Sequence, residues 1–145
     1  MKREILFRGK RIDDGEWVYG DYFNTEKSEF CKFKPTIIEN GGSDRDDFHL
    51  VDKNSIGQFT GLLDKKGKKI FEDDIVRWDD NSNGEKWRVA VVEINPDLQF
   101  RIIRIECDFI QSAQEGYIFK FGRFIYTDTH NHLEIIGNIH DDAKL

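Results

Sequence analysis

The sequence predicts a mainly β, single-domain protein, and three observations predict it. Ile and Val number 23, whereas Ala, Leu and Met together number 11. Side chains branched at Cβ are stiff at χ1 and suit a pleated surface better than a helix. Twelve Phe, four Tyr and three Trp add to the same side. Finally, 145 residues is close to the usual size of one domain and leaves little for two independent cores. The 38% of apolar residues is too high for a disordered chain. No uncharged apolar run approaches the roughly 20 residues of a spanning helix. With two prolines and no low-complexity tract, a linker protein is excluded as well.

The elements follow in order. Ile5–Phe7 and Trp17–Tyr19 read as strands joined through Asp14-Gly15, a hairpin signal because Gly adopts positive φ at no steric cost. Trp17 and Tyr19 then share one face and Val18 takes the other. Gly20 marks a bulge or a close backbone approach. Phe30–Ile38 is broken by Pro35, which predicts an edge strand or two short pieces. Residues 39–47 (ENGGSDRDD) compose a mobile loop and the natural seam. Phe48–Val51 is a short strand, and Asn54-Ser55 opens a helical turn at Ile56. Gln58–Leu63 and Ile70-Phe71 flank a turn at Gly67. The acidic Glu72-Asp73-Asp74 feeds the branched strand Ile75–Trp78, as at the start of a barrel wall. Trp87–Ile94 and Leu98–Glu106 form a long antiparallel pair across Asn95-Pro96-Asp97. In the second of these, Phe100, Ile102 and Arg104 are expected on one face, opposite Arg101, Ile103 and Ile105. Residues 108–116 hold the only helical stretch. Tyr117–Phe121 and Phe124–Tyr126 pair across Gly122-Arg123, and Leu133–His140 is the last strand.

Charge and chemistry narrow the function. The 28 acidic and 22 basic residues leave a net charge of −6. A nucleic-acid binder usually shows a basic stripe, so nucleic acid is disfavoured. The densest basic run, Lys65, Lys66, Lys68 and Lys69, is flanked by acids and reads as a solvated turn. Cys31 and Cys107 lack metal-type spacing and read as reduced thiols of a cytoplasmic protein. Asp128, His130 and His132 would share a strand face, a weak metal site that His49 or His140 would complete. The five Asp-Asp pairs fall in turns, loops or the tail, where nothing raises a carboxyl pKa for acid-base work. There is no nucleophile elbow and no phosphate loop, so no catalytic residue and no cofactor is expected. The aromatics remain, and Trp17, Tyr19, Trp78 and Trp87 are the candidate interaction residues, since interfaces favour Trp and Tyr.

Four blocks together resemble the YopX family, and they occur in order along the whole chain. They are Arg3–Lys10 with Gly15–Gly20; Gly57–Leu62; Asp64–Lys69 leading into Ile70–Val76; and Leu133–His140. The resemblance implies a bacteriophage or prophage source and a mainly β fold with an SH3-like small barrel. On that expectation an N-terminal β-hairpin region covers about 1–47 and a barrel-like core about 48–140. Two departures stand out. Asp73 occupies the place where the family usually has Gly, and His140 that of an aromatic residue near the end of the last strand. The family has no established catalytic residues to carry over. The function expected is therefore a non-enzymatic accessory protein that binds a phage or host protein or itself. The alternatives are a small-barrel nucleic-acid binder and, after it, a metal-dependent hydrolase at Asp128, His130 and His132.

Overall fold

Branched and aromatic residues form strands throughout, as their composition demands. A computed structural model describes residues 4–24, 35–79, 86–107, 116–123 and 132–141. Among these residues there are eleven strands, four single turns of 3₁₀ helix and no α-helix. The chain divides into two units, Met1–Phe59 and Thr60–Leu145.

In the first unit, β1 (Phe7–Lys10), β2 (Trp17–Phe23), β3 (Thr36–Ile38) and β4 (Phe48–Leu50) are hydrogen-bonded in the order β4-β3-β2-β1, all antiparallel. The β1–β2 turn is where Asp14-Gly15 predicts it, with Gly15 at φ +72° and its N–H donating to the Arg11 carbonyl at 3.0 Å. Gly20 marks a close approach, since a Cβ there would stand 2.1 Å from the Ile38 carbonyl oxygen. Pro35 does confine β3 to a short piece, but not to an edge. The proline lies just before the strand, so no ladder N–H is lost, and β3 pairs on both sides.

Residues 39–47, read as a mobile loop and seam, lie inside this unit and fold on themselves. Two 3₁₀ turns, Asn40–Gly42 and Arg45–Asp47, are closed by the Glu39 N–H to the Asp47 carbonyl (2.8 Å) and by an Asp44–Asp47 capping box. Asp52 caps the turn Lys53–Ser55, which ends where the sequence suggests it begins. The core is Val18, Ile37 and Val51 with Phe7, Tyr22 and Ile56. One isolated bridge, Arg11 to Val51, ties the ends of β1 and β4. The start of β5 (Gly57–Leu63) pairs with β1.

The second unit holds the rest of β5, then β6 (Lys69–Phe71), β7 (Asp74–Asp79), β8 (Lys86–Ile94), β9 (Leu98–Cys107), β10 (Ile118–Lys120) and β11 (Glu134–Asn138). Its sheet has the order β10-β9-β8-β7-β11, antiparallel throughout. Ile70, Val76, Trp78, Ala90, Val92, Phe100, Ile102 and Leu133 form the main core. Ile75, Val89, Val91 and Ile103 form a second cluster.

Opposite the Val89–Ala90 step the pairing jumps from Arg104 to Ile102, so Ile103 is an extra, bulged residue. The bulge resets the alternation. Phe100 and Ile102 face the main core as expected, but beyond it Ile105 packs there, and Arg104 bonds the Glu106 carboxylate at 3.0 Å among exposed side chains.

After β10 the chain forms the 3₁₀ turn Phe121–Arg123, where a tight strand pair is expected. Residues 124–126 and the helical stretch 108–115 lie outside the described residues. Mainly β is thus what the chain forms. Closure into a barrel is absent among the described residues, because β10 and β11 stand at the two ends of their sheet and do not pair.

Candidate functional site

Strand phase builds the most prominent surface. On β2, alternation sends Val18 and Tyr22 inward and Tyr19, Asp21 and Phe23 outward. The register carries that outer face across the sheet. Phe23 lies opposite Thr36, which lies opposite Leu50; Asp21 lies opposite Ile38, which lies opposite Phe48. The result is two cross-strand rows that are apolar at four of six places. Phe23 is 47% exposed, Phe48 and Leu50 51% each, and Tyr19 45%. Phe23, Thr36, Ile38, Phe48 and Leu50 line an open groove of about 570 Å³. The Asn40–Gly42 turn packs against two of these residues, since a Cβ on Gly42 would come within 3.1 Å of both Ile38 and Phe48. Contiguous rings and branched chains left in water at this level mark a surface that gains by being covered.

The four aromatics singled out in the sequence are not brought together as one site. Tyr19 joins the apolar face. Trp17 is half-buried, with the Arg8 guanidinium 4.5 Å and the Lys10 ammonium 5.6 Å from its ring centroid. Trp87 is half-buried with Arg77 at 4.7 Å. Trp78 is no surface residue. It is 1% exposed, edge-on to Phe100 at 5.6 Å and close to Phe119, because β7 turns Val76 and Trp78 into the core together. Phe23, Phe48 and Leu50 are the residues the sequence reading missed. Their signal is the alternation Phe48-His49-Leu50, which puts two large apolar residues on one face of a strand.

Charged groups gather in the second unit. The Glu134 carboxylate receives Lys65 Nζ at 3.1 Å, Arg77 Nε at 3.1 Å and Lys66 Nζ at 3.4 Å. Hydrogen bonding by Lys65, ahead of that by Arg77 and Lys66, holds its pKa down to about 2. The turn that presents the two lysines is not a loosely solvated one. Asp64 is fully buried, and its carboxylate accepts the N–H groups of Lys66 (2.9 Å), Lys68 (2.8 Å) and Ile135 (3.2 Å).

Of the metal candidates, Asp128 and His130 lie outside the described residues, as does Cys31, and His132 is half-buried. The two supplementary histidines each face a carboxylate: His49 Nε2 is 3.2 Å from Glu39, and His140 Nε2 is 2.9 Å from Asp73. Among the described residues no three His, Cys, Asp or Glu side chains converge on one point. No helix there is long and apolar enough to cross a membrane.

A family model described as YopX protein matches residues 6–145. The chain belongs to the YopX family. No curated protein matches it. In this YopX chain Asp73 and His140, the two residues expected to depart from the family pattern, are neighbours. Asp73 stands at φ +71°, the left-handed conformation that a Gly would adopt freely. Its backbone is fixed on both sides, the N–H donating to the Val92 carbonyl (2.8 Å) and the carbonyl accepting from Ile139 (3.0 Å). Its side chain meets His140, the other departure, across 67 positions of sequence.

Proposed function

We propose that this YopX-family chain is a non-enzymatic interaction module of a phage or prophage, working in the host cytoplasm, and that a partner protein covers the outer face of β2, β3 and β4. The observation that carries this reading is the pair of apolar rows Phe23–Thr36–Leu50 and Asp21–Ile38–Phe48, with three of their large side chains about half exposed. Aromatic and aliphatic anchors in a shallow groove are the usual centre of a protein interface. The fold expectation belongs to the same proposal. The second unit has four sequential strands in a meander, a 3₁₀ turn, and a last strand beside the first. That order supports an SH3-like roll, open between its two outer strands.

The test is quantitative capture from a lysate of the host by the tagged full chain and by the F48S/L50S variant, with light scattering of both. Both side chains are half exposed, so the variant should unfold at the same denaturant concentration as the parent. The reading expects the parent to retain one partner in stoichiometric amount and the variant to lose it by tenfold or more, about 1.4 kcal/mol for each factor of ten. Light scattering separates a second copy of the chain from a foreign protein. Capture that survives the double substitution, or a parent that captures nothing and stays monomeric, refutes the reading.

A further inference from the structure

We propose that Lys65, Lys66 and Arg77, gathered around Glu134, form a binding site for a phosphoryl group. The cluster is built, not incidental. Lys65 and Lys66 ride on the β5–β6 turn, and that turn is fastened to the strand that carries Glu134. The Lys65 N–H donates to the Leu133 carbonyl (2.8 Å), and buried Asp64 accepts the Ile135 N–H (3.2 Å). Arg77 on β7 lies directly opposite Glu134 on β11. Three cations therefore meet on one carboxylate, and the four side chains in contact carry a surplus of two positive charges.

The donors have capacity left. Arg77 reaches Glu134 through Nε alone, and among the described residues its two terminal amino groups make no hydrogen bond. Its guanidinium lies 4.7 Å from the Trp87 ring centroid, which helps to fix the plane in which those groups point. The Lys66 side chain is 61% exposed, and among the described residues its ammonium pairs with Glu134 alone. Glu134 holds the cations together against their mutual repulsion, and it keeps its charge at any working pH. The Asp64 carboxylate, next along the chain, is committed to backbone N–H groups.

The surroundings select the size of the anion. Arg101 is paired one-to-one with Glu93, and Arg104 with Glu106. Trp87 lies between Asp79 and Glu106 in the ladder, so acids border the patch on that side. No basic stripe leads away from the cluster among these residues, which argues against a track for a nucleic-acid strand. A compact dianion with several strong acceptor oxygens fits two ammonium groups and a guanidinium edge. A phosphorylated side chain and a free phosphate ester share this chemistry. The site uses no residue of the apolar face and does not depend on it.

The test is calorimetric titration of the full chain with inorganic phosphate, with a phosphoserine peptide and with the unphosphorylated twin of that peptide. Wild type, K66A, K68A and E134Q are compared. Lys66 and Lys68 lie in the same turn, and of the two it is Lys66 that pairs with Glu134. Saturable uptake of phosphate is expected in wild type and K68A, with K66A weaker by about tenfold, the loss of one charge-assisted hydrogen bond. E134Q is expected to bind several-fold more tightly, because a competing negative charge is gone; a purely structural ion-pair cluster would not produce that gain. A phosphopeptide that outbinds both phosphate and its twin marks a protein-borne source, whereas phosphate and phosphopeptide binding alike mark a free ester. Absence of saturable phosphate uptake in wild type, or equal losses in K66A and K68A, overturns the proposal. So does an oligonucleotide that binds while phosphate does not.

Discussion

At Asp73 the backbone asks for glycine and the side chain offers something else. A non-glycine residue in the left-handed region is strained by about 1 kcal/mol or more, while one partly buried side-chain hydrogen bond returns at most about as much. The Asp73–His140 contact at 2.9 Å therefore offsets the strain in part. D73G is expected to stabilise the chain by less in the parent than in an H140A background, where the full relief of about 1 kcal/mol should appear. Urea unfolding of the four proteins of that cycle measures the coupling. Glu134 makes a second residue-scale prediction. Its folded pKa of about 2 is below the ordinary 4.5, so the stability it contributes is complete above pH 4.5 and is lost as pH falls through about 2. E134Q should lack that part of the acid-side loss when melting temperature is followed from pH 6 to pH 2. The positive φ at residue 73 is legible in the sequence through the family pattern. The burial of Asp64 is not, because an aspartate in a lysine-rich turn looks solvated until β11 is laid beside it.

At the scale of elements, composition and turn residues suffice to locate most strands, since Val, Ile and aromatic runs bounded by Gly, Asp and Asn have one economical backbone solution. Phase is harder. A single extra residue at Ile103 turns the side chains beyond it over, and no side-chain type announces a bulge that the backbone pairing creates. Two substitutions separate the observed phase from simple alternation. Arg104→Ser should change stability by no more than about 0.5 kcal/mol, as expected for an exposed ion pair. Ile105→Ser should cost about 2 kcal/mol, because it removes apolar area packed on the main core. Chemical denaturation of the two variants decides it, and the reverse order would restore the alternating reading. The 39–47 segment teaches a related lesson. Its Gly, Asn and Asp content suggests an open loop, yet Asp44 and Asp47 supply the capping box of the second of its two 3₁₀ turns.

At the scale of the whole molecule, two β units are joined through β5, and the candidate site belongs to the first of them. Tyr19 was legible as an outward residue because β2 alternates without interruption. Phe48 and Leu50 were not, since which face of a three-residue strand meets water depends on the strand paired with it. Trp78 shows the same limit from the other side. A tryptophan counts as an interface candidate by type alone, but the position of β7 inside its sheet puts this one in the core. Hydrogen exchange of the full chain, free and then bound to the partner it captures, tests the central claim most directly. Slower exchange is expected on binding at 36–38 and 48–50, with residues 98–102 of β9 unchanged. Protection that appears in the second unit while β3 and β4 exchange as before would contradict it.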